Sequence, residues 1–175
     1  MDTRQALVAA AERQFHEHGF RATGMDALAR AAGMSSRTLY KHAGSKAALI
    51  VTVLDARDQR FFATIERCEV AALFDAHLRW IAREGAHGCL FLRALGETGG
   101  AHPEIAAAVR RHKDRMRAWV EAAVVAAIGR PDPVLAGRIV LLFEGAVAAS
   151  AYQGVAAIGA AAAAARHLVD AEQAA

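Results

Sequence analysis

The sequence predicts an all-α protein, and three observations support this prediction. Alanine, leucine, glutamate and arginine, which favour helices, are frequent in a chain that is 55% hydrophobic. Only three prolines occur in 175 residues, and no convincing stretch alternates between apolar and polar side chains as a half-buried strand does. Capping residues and glycines recur at intervals that mark helix ends. The length suits one sizeable domain, or a small domain joined to a larger one.

The first third of the chain contains the signals of four helices. Leu7, Val8, Ala11 and Phe15 lie on one face at helical spacing, and Gly19 ends that helix. Serines precede the third and fourth helices and are expected to cap them. The predicted helices cover residues 3–18, about 25–32, about 36–42, and a fourth of about twenty residues from Ser45 toward Cys68.

The rest of the chain predicts five more helices, at about 70–84, 88–97, 103–128, 133–153 and 155–172. Pro103 marks the start of one helix, and Asp132 followed by Pro133 marks the start of another. Residues 145–165 carry no charge and are long enough to span a bilayer. They are mostly alanine and glycine, however, so we interpret them as parts of two close-packed helices that meet near Gly154.

Charge is distributed unevenly along the chain. Residues 1–50 hold seven Lys or Arg against four Asp or Glu, whereas the remaining residues hold fourteen of each. The excess positive charge therefore lies in the N-terminal part, which indicates an anionic partner for that part.

The stretch AAGMSSRTLYKHAGSK, residues 31–46, indicates why the charge lies there. Two short helices separated by Gly33 are typical of a helix-turn-helix, in which Ala29 permits a close crossing and Leu39 anchors the second helix. Leu39 is the only strongly apolar residue between 35 and 46. The other side chains of that helix are then free to face outward and enter a DNA major groove. The alternative is an ordinary solvated helix face.

Chemistry divides the expected DNA contacts into two groups. Hydroxyl and basic groups near helix ends suit phosphates, and the candidates are Thr23, Tyr40, His42 and Lys46. Arg37 can offer a bidentate fork to guanine, Thr38 can touch a thymine methyl or a base edge, and Lys41 can reach either base or phosphate. The full predicted DNA-binding set is Thr23, Ser35, Ser36, Arg37, Thr38, Tyr40, Lys41, His42 and Lys46.

Residues 19–50, GFRATGMDALARAAGMSSRTLYKHAGSKAALI, resemble the DNA-binding domain of the TetR family of bacterial transcriptional regulators. The matching positions are Gly19-Phe20, Thr23, Leu28-Ala29, Ala32 to Ser35, Thr38 to Tyr40, His42, Ser45-Lys46 and Leu49. The resemblance implies a three-helix DNA-binding domain at 1–45, a connecting helix at 46–68, and a helical ligand-binding and dimerisation domain at 69–175. It also implies a homodimer on a palindromic operator, with phosphate contacts for Thr23, Tyr40, His42 and Lys46.

Two positions depart from the family pattern. Ala43 stands where an aromatic residue is usual, which predicts looser packing of the third helix against the fourth. Gly24 stands where a small hydroxyl residue is common, which predicts the loss of one capping or phosphate contact. Neither change alters the expected fold.

The body offers weaker signals for a small-molecule inducer. Glu144 lies inside the apolar run IVLLFEGAVAAS, where a carboxylate requires a partner: a ligand, Arg138, or an arginine across a dimer interface. Cys89 is either a redox or electrophile sensor, favoured by Arg83 or Arg93 nearby, or a small buried hydrophobe. Aromatic residues can line a pocket but also form plain core. The candidate ligand residues are Trp80, Cys89, Phe91, Trp119 and Glu144.

Helices 133–153 and 155–172 present faces of small and apolar residues that predict a homodimer interface, or packing within one chain. The basic run RRHKDRMR, at 110–117, is interpreted as a solvated helix face with Ile105, Val109, His112, Met116 and Val120 inward. The expected partners are operator DNA, a second copy and an unknown inducer.

Catalytic chemistry is not indicated by the sequence. No nucleophile with a base, phosphate loop or metal-ligand cluster is visible, so we expect no enzyme activity, no cofactor and no metal. The charged N-terminal segment is not typical of a secretory signal, and a cytoplasmic protein without membrane association is expected. An enzyme, or a sensor module that has lost DNA binding, are the alternative classes.

Overall fold

A computed structural model describes residues 3–174, which form nine α-helices and no strands. The predicted all-α fold is therefore confirmed. The helices are α1 (Thr3–His18), α2 (Met25–Ala31), α3 (Ser36–Ala43), α4 (Lys46–Phe62), α5 (Val70–Glu84), α6 (Leu90–Thr98), α7 (Pro103–Ile128), α8 (Pro133–Gln153) and α9 (Val155–Gln173).

Most helix boundaries follow the caps that the sequence predicts. The Ser45 hydroxyl accepts the N–H of Ala48 at 3.0 Å at the start of α4. The Asp132 carboxylate accepts the N–H groups of Val134 and Leu135 at the start of α8. These bonds satisfy amide donors that have no partner within the helix. Gly154, at φ +65°, separates α8 from α9 as expected, because its backbone conformation is one that L side chains rarely adopt.

The fourth helix is shorter than predicted. It ends at Phe62 after 17 residues, not near Cys68. Thr64 explains the difference, because its N–H and its hydroxyl both donate to the carbonyl of Phe61, at 2.9 and 2.6 Å. This local bonding competes with continuation of the helix. Ile65 therefore lies in the segment that follows the helix, and it packs against the core from there.

Contacts divide the described chain into two compact units. The first contains residues 3–59 and 90–111, and the second contains residues 60–89 and 112–174. Helix α6 therefore belongs to the same unit as the helix-turn-helix. The division at residues 45 and 68 drawn from the sequence concerns function and stays a prediction.

The first unit combines an apolar core with a buried ion pair. The rings of Phe15 and Phe20 stack with their centroids 4.7 Å apart, which closes the end of α1 onto the following loop. Arg57 of α4 donates to the carboxylate of Glu12 of α1 at 2.7 Å, and both side chains are less than one-tenth exposed. Arg57 also lies 3.0 Å from Nε2 of His16. The buried charge of Arg57 is thus paired inside the unit.

The second unit has an aromatic core. The ring of Phe61 contacts Trp80, Phe143 and His77, with centroids 5.5 to 6.2 Å apart. His77 is buried among these rings and is part of the core. Within this unit α9 packs along α8 and α5.

The basic run of α7 has the predicted inward set, since Ile105, Val109, His112, Met116 and Val120 are all buried.

Helix α8 is, among the described residues, the one helix long and apolar enough to cross a bilayer by length and composition. Its inner face is buried in the second unit, at Leu135, Ile139 and Phe143 for example. Its outer face is exposed and mainly apolar, with Leu141 74% and Tyr152 77% accessible, and it also carries the exposed Arg138. The outer residues follow helical spacing: Val134, Gly137, Leu141, Gly145, Ala148 and Tyr152. We call this set the α8 stripe.

Candidate DNA-binding site

The helix-turn-helix forms as the sequence predicts. Gly33, at φ +65°, makes the turn, and the N–H of Met34 returns to the carbonyl of Ala29 at 3.0 Å. Leu28 and Leu39 are fully buried, and Ala29 is 3% exposed, so a small residue lies between α2 and α3. The two helices are therefore held together by few apolar side chains, and α3 depends on Leu39 for its attachment.

The start of α3 is held by hydroxyl groups. The N–H of Thr38 donates to the Ser35 hydroxyl at 3.1 Å, and the hydroxyls of Ser35 and Thr38 lie 2.9 Å apart. The Ser36 hydroxyl donates to the Asp26 carboxylate of α2 at 2.9 Å. The hydroxyls of Ser35 and Ser36, both predicted to bind DNA, thus fix the start of the helix. These two hydroxyls and that of Thr38 lie at the surface. Their contacts with DNA stay predictions.

The remaining side chains of α3 form an exposed polar surface. Arg37, Tyr40, Lys41 and His42 are all exposed, on both sides of the buried Leu39. Tyr40, at 51% exposure, is an aromatic ring that takes no part in the core. Guanidinium, phenol, ammonium and imidazole groups offer donors to phosphate and base edges. This surface is what a major groove would meet.

Thr23 is placed differently from the other predicted phosphate contacts. Its side chain is 2% exposed, and its hydroxyl donates to the carbonyl of Gly19 at 2.6 Å. In this arrangement the hydroxyl stabilises the loop after α1. A DNA contact at this position, which stays a prediction, would use the backbone N–H.

Lys46 lies at the first turn of α4, and its ammonium group contacts the backbone of the loop between α1 and α2. Its Nζ donates to the carbonyl of Arg21 at 3.3 Å. Burial lowers the pKa of Lys46, and the negative charge of Glu97 opposes that shift. The side chain is half-buried along its length with its charged end at the rim, as expected for a long cationic side chain.

Both departures from the family pattern are visible in the structure. Gly24 is the N-cap residue of α2, in an extended conformation and without a side-chain cap, so the predicted loss of a capping contact is confirmed. Ala43 is the last residue of α3 and is half-buried. Its effect on the packing of α3 stays a prediction.

Three residues near this site were not predicted from the sequence to belong to it. Asp26 holds Ser36 although the two are ten residues apart. Arg93 and Glu97 of α6 reach the loop between α1 and α2, and Glu97 accepts the N–H of Arg21 at 2.9 Å. The i, i+4 spacing of Arg93 and Glu97 signals a helix ion pair. This spacing gives no indication that Glu97 also bonds to Arg21, because the two residues are 76 positions apart in the chain.

The five predicted ligand residues do not lie at one common site. Glu144 of α8 is paired with Lys113 of α7, whose Nζ lies 2.6 and 2.7 Å from the two carboxylate oxygens. Within the chain the partner is therefore Lys113 and not Arg138. The same Nζ lies 3.5 Å from Sγ of Cys89. Lys113, which the sequence did not single out, thus joins two of the five predicted residues into one polar cluster.

The three aromatic candidates are separate from this cluster. Trp80 is buried against Phe61 in the second unit, and Trp119 packs on the same core. Phe91 is buried in the first unit. Two clefts of about 220 and 620 Å³ lie within the second and first units, respectively, and none of the five predicted residues lines either. The assignment of a ligand pocket stays a prediction.

A helical chain with a polar, exposed second helix after a glycine turn defines the class of helix-turn-helix DNA-binding proteins. Residues 7–53 match the family described as "Bacterial regulatory proteins, tetR family". The resemblance to the TetR family drawn from the sequence is thus confirmed over these residues, which contain the helix-turn-helix. A search of curated protein sequences gave no match.

Solved structures of the family share this fold along the whole chain. A TetR-family transcriptional regulator from Streptomyces coelicolor has a TM-score of 0.88 and 23% identity, and the alignment covers 98% of this chain and 96% of that one. A putative TetR transcriptional regulator from Streptomyces avermitilis has a TM-score of 0.80 and 24% identity, with 98% of both chains covered. The reduced form of NemR from Escherichia coli has a TM-score of 0.76 and 20% identity, with 95% and 97% covered. At these identities the likeness shows the fold alone.

Proposed function

We propose that this chain is a ligand-responsive transcriptional repressor that binds a palindromic operator as a homodimer, without a catalytic step. The observation that carries the proposal is the surface of α3. Four donor side chains, Arg37, Tyr40, Lys41 and His42, are exposed on a helix that is attached by the buried Leu39. A helix with so little apolar attachment and so many outward donors is suited to a DNA groove. Because its partner is DNA, we place the protein in the cytoplasm.

The contacts with DNA are proposed to divide by chemistry. Arg37 reads a guanine through a bidentate pair, and Thr38 and Lys41 approach neighbouring base edges. Tyr40, His42 and Lys46 contact phosphates and set the register of the helix on the duplex. Phosphate contacts release counterions and so make affinity depend on salt, whereas base contacts discriminate between sequences.

The test compares Arg37→Ala with Lys46→Ala. Duplexes that bind the wild-type protein are first selected from random DNA, and the selected set is expected to contain a palindrome. Arg37→Ala should then weaken binding and relax the preference at one base pair in each half-site. Lys46→Ala should weaken binding to all duplexes alike and reduce the salt slope by about 0.9. Two variants with identical footprints and salt slopes would contradict the assignment.

The dimer is supported by the α8 stripe. A monomer rarely exposes a row of apolar and small residues along 19 positions of a helix whose other face is buried. Gly137 and Gly145 lie on this row, and without side chains they let a second helix approach closely. Two copies related by a two-fold axis would present this row, with the neighbouring face of α9, to one another. Binding to two successive major grooves would require the two recognition helices to lie about 34–36 Å apart, one helical turn of DNA.

Leu141→Glu tests the dimer against a matched control. Leu141 is on the α8 stripe, whereas Val125 on α7 is also apolar and 40% exposed but is not on it. Sedimentation should show that Leu141→Glu is monomeric and that Val125→Glu is not. The first variant should lose most of its affinity for the palindrome and keep its weak affinity for a single half-site. A wild-type protein that sediments as a monomer would exclude the dimer.

The response to a ligand is proposed to involve Glu144 and Lys113. This ion pair is about three-quarters buried in a mainly apolar unit. A charged or hydroxylated molecule that enters there can replace one member of the pair as the partner of the other. The ligand acts by binding more tightly to a dimer arrangement that does not fit the operator. The two tryptophans of the chain, Trp80 and Trp119, are both in the second unit, so their fluorescence can report binding. Small molecules that cause the wild-type protein to release the palindrome should not cause Glu144→Gln to release it.

A thiol-based response is the second candidate signal. The observation that favours it is the 3.5 Å distance between Lys113 Nζ and Cys89 Sγ, since a cation beside a sulfur favours reactive cysteines. Cys68, which is exposed, offers the matched control. A thiol-directed reagent that releases DNA from the wild-type protein should fail on Cys89→Ser and still act on Cys68→Ser. The reverse pattern would exclude Cys89 as the sensor.

A further inference from the structure

The last turn of α6 lies against the loop between α1 and α2, within the first compact unit. Oε2 of Glu97 accepts the N–H of Arg21 at 2.9 Å. Arg93, one turn earlier, donates from Nε to Oε1 of Glu97 at 2.7 Å and from Nη1 to the carbonyl of His16 at 2.9 Å. A carboxylate and a guanidinium from α6 therefore hold the backbone at the end of α1 and in the loop that follows.

The loop is shaped around the Glu97 carboxylate. A side chain at Gly19 would place its Cβ 2.8 Å from Oε2 of Glu97, and Gly19 also has φ +86°. Only glycine satisfies both conditions without displacement. Burial pushes the pKa of Glu97 upward, but the N–H of Arg21 and the charge of Arg93 outweigh it, so the pKa lies below its ordinary value. The ionised carboxylate is thus the form that this loop stabilises.

The backbone of Arg21 also supports Lys46. Its Nζ donates to the carbonyl of Arg21, whose own N–H is bound by Glu97. The backbone of Arg21 is therefore held by α6 through its N–H while its carbonyl supports the ammonium of α4. If the carboxylate is removed, the loop loses its anchor, and the Lys46 ammonium loses the carbonyl that orients it.

We propose that Glu97 is a positioning residue for DNA binding: it fixes the Arg21 backbone so that Lys46 is presented to a DNA phosphate. The proposal rests on the proposed function, because it assigns a structural cause to one of its phosphate contacts. It makes a prediction opposite to that of simple electrostatics, since removal of a negative charge near DNA normally strengthens binding.

The test measures the affinity of four proteins for the selected palindrome at several salt concentrations: wild type, Glu97→Ala, Lys46→Ala and the double variant. Glu97→Ala should bind roughly tenfold more weakly, and its salt slope should fall by about 0.9, as for Lys46→Ala. The double variant should bind no more weakly than Lys46→Ala, because both changes remove the same contact. A general loosening of the head would instead give additive losses and an unchanged slope.

Glu104→Ala is the matched control, because Glu104 lines the same cleft and is half-exposed. It removes the same charge and should leave affinity unchanged or slightly stronger. If Glu97→Ala does not fold by circular dichroism, Glu97→Gln, which keeps an acceptor for the Arg21 N–H, should show a smaller loss in the same direction. Unweakened binding by the folded Glu97 variants, or additive losses, would overturn the proposal. A wild-type protein that binds no duplex would overturn the proposed function itself.

Discussion

The two compact units differ in the kind of contact that stabilises each of them internally. In the first unit, charged side chains from one helix reach another helix or its backbone, as Glu12 and Arg57 do inside the core and Glu97 does at its edge. In the second unit, aromatic and small apolar side chains form a continuous core around Phe61 and Phe143. Ion pairs and hydrogen bonds require defined distances and directions, whereas apolar contacts tolerate small shifts. The unit that carries the recognition helix thus contains an ion pair more deeply buried than the Lys113–Glu144 pair of the second unit.

The buried pair in the first unit should give the largest effect on stability. Glu12→Ala leaves the Arg57 guanidinium buried beside a cavity, and we expect a loss of about 3–5 kcal/mol in the free energy of unfolding. Urea denaturation followed by circular dichroism measures it. Glu17→Ala, on the exposed side of the same helix, should change stability by less than about 0.5 kcal/mol. Similar losses in the two variants would remove the contrast between the units.

The ion pair in the second unit should give a smaller loss. Lys113→Met removes the partner of Glu144, but both side chains keep about a quarter of their exposure, so water can replace part of the interaction. We expect a loss of about 1–2 kcal/mol in the same urea experiment. Arg117→Met, at an exposed position of the same helix, is the control and should be nearly neutral. A loss larger than that of Glu12→Ala would reverse the comparison.

The cap of the recognition helix is a local contact and should contribute less again. Ser35→Ala removes the acceptor of the Thr38 N–H and should cost about 1 kcal/mol. Ser36→Ala removes a hydroxyl that bonds to Asp26 at the surface, and its effect should be smaller. Thermal unfolding of both variants without DNA separates this effect from any change in DNA contacts. A greater loss for Ser36→Ala would mean that Asp26, not the cap, fixes the start of α3.

The cap of α8 should give a pH-dependent effect. The N–H of Leu135, with that of Val134 and the charge of Arg130, holds the pKa of Asp132 below its ordinary value. Its stabilisation is therefore present above the pKa of the unfolded chain and is lost as the pH falls through the folded pKa. The difference in Tm between wild type and Asp132→Ala should be largest at neutral pH and vanish in acid. Asp114→Ala should show no such cap-dependent trend.

Contacts within a few residues of sequence explain what could be predicted. The caps at Ser35, Ser45 and Asp132 and the turn at Gly33 are satisfied by neighbours in the chain, and their sequence signals were sufficient to place most helices. The same holds for the exposed face of α3, because Leu39 alone among its residues needs a core.

Contacts between distant residues explain what could not be predicted. The partner of Glu144 is 31 residues away on another helix, and no periodicity distinguishes Lys113 from the other cations of its run. The pairing of Arg57 with Glu12 was not predicted either, because Glu12 lies 45 residues earlier. The end of α4 at Phe62 was missed for a local reason, since the Thr64 hydroxyl competes with the helix in a way that a hydrophobic stripe does not reveal.

The exposed α8 stripe has a genetic consequence. In the proposed dimer, a chain with a defective α3 and an intact stripe still pairs with normal chains. Where both are made in equal amounts, about a quarter of the pairs contain two normal chains, if pairing is random. Changes at Arg37 should therefore behave as dominant in a cell that also carries the normal gene, and changes at Leu141 as recessive.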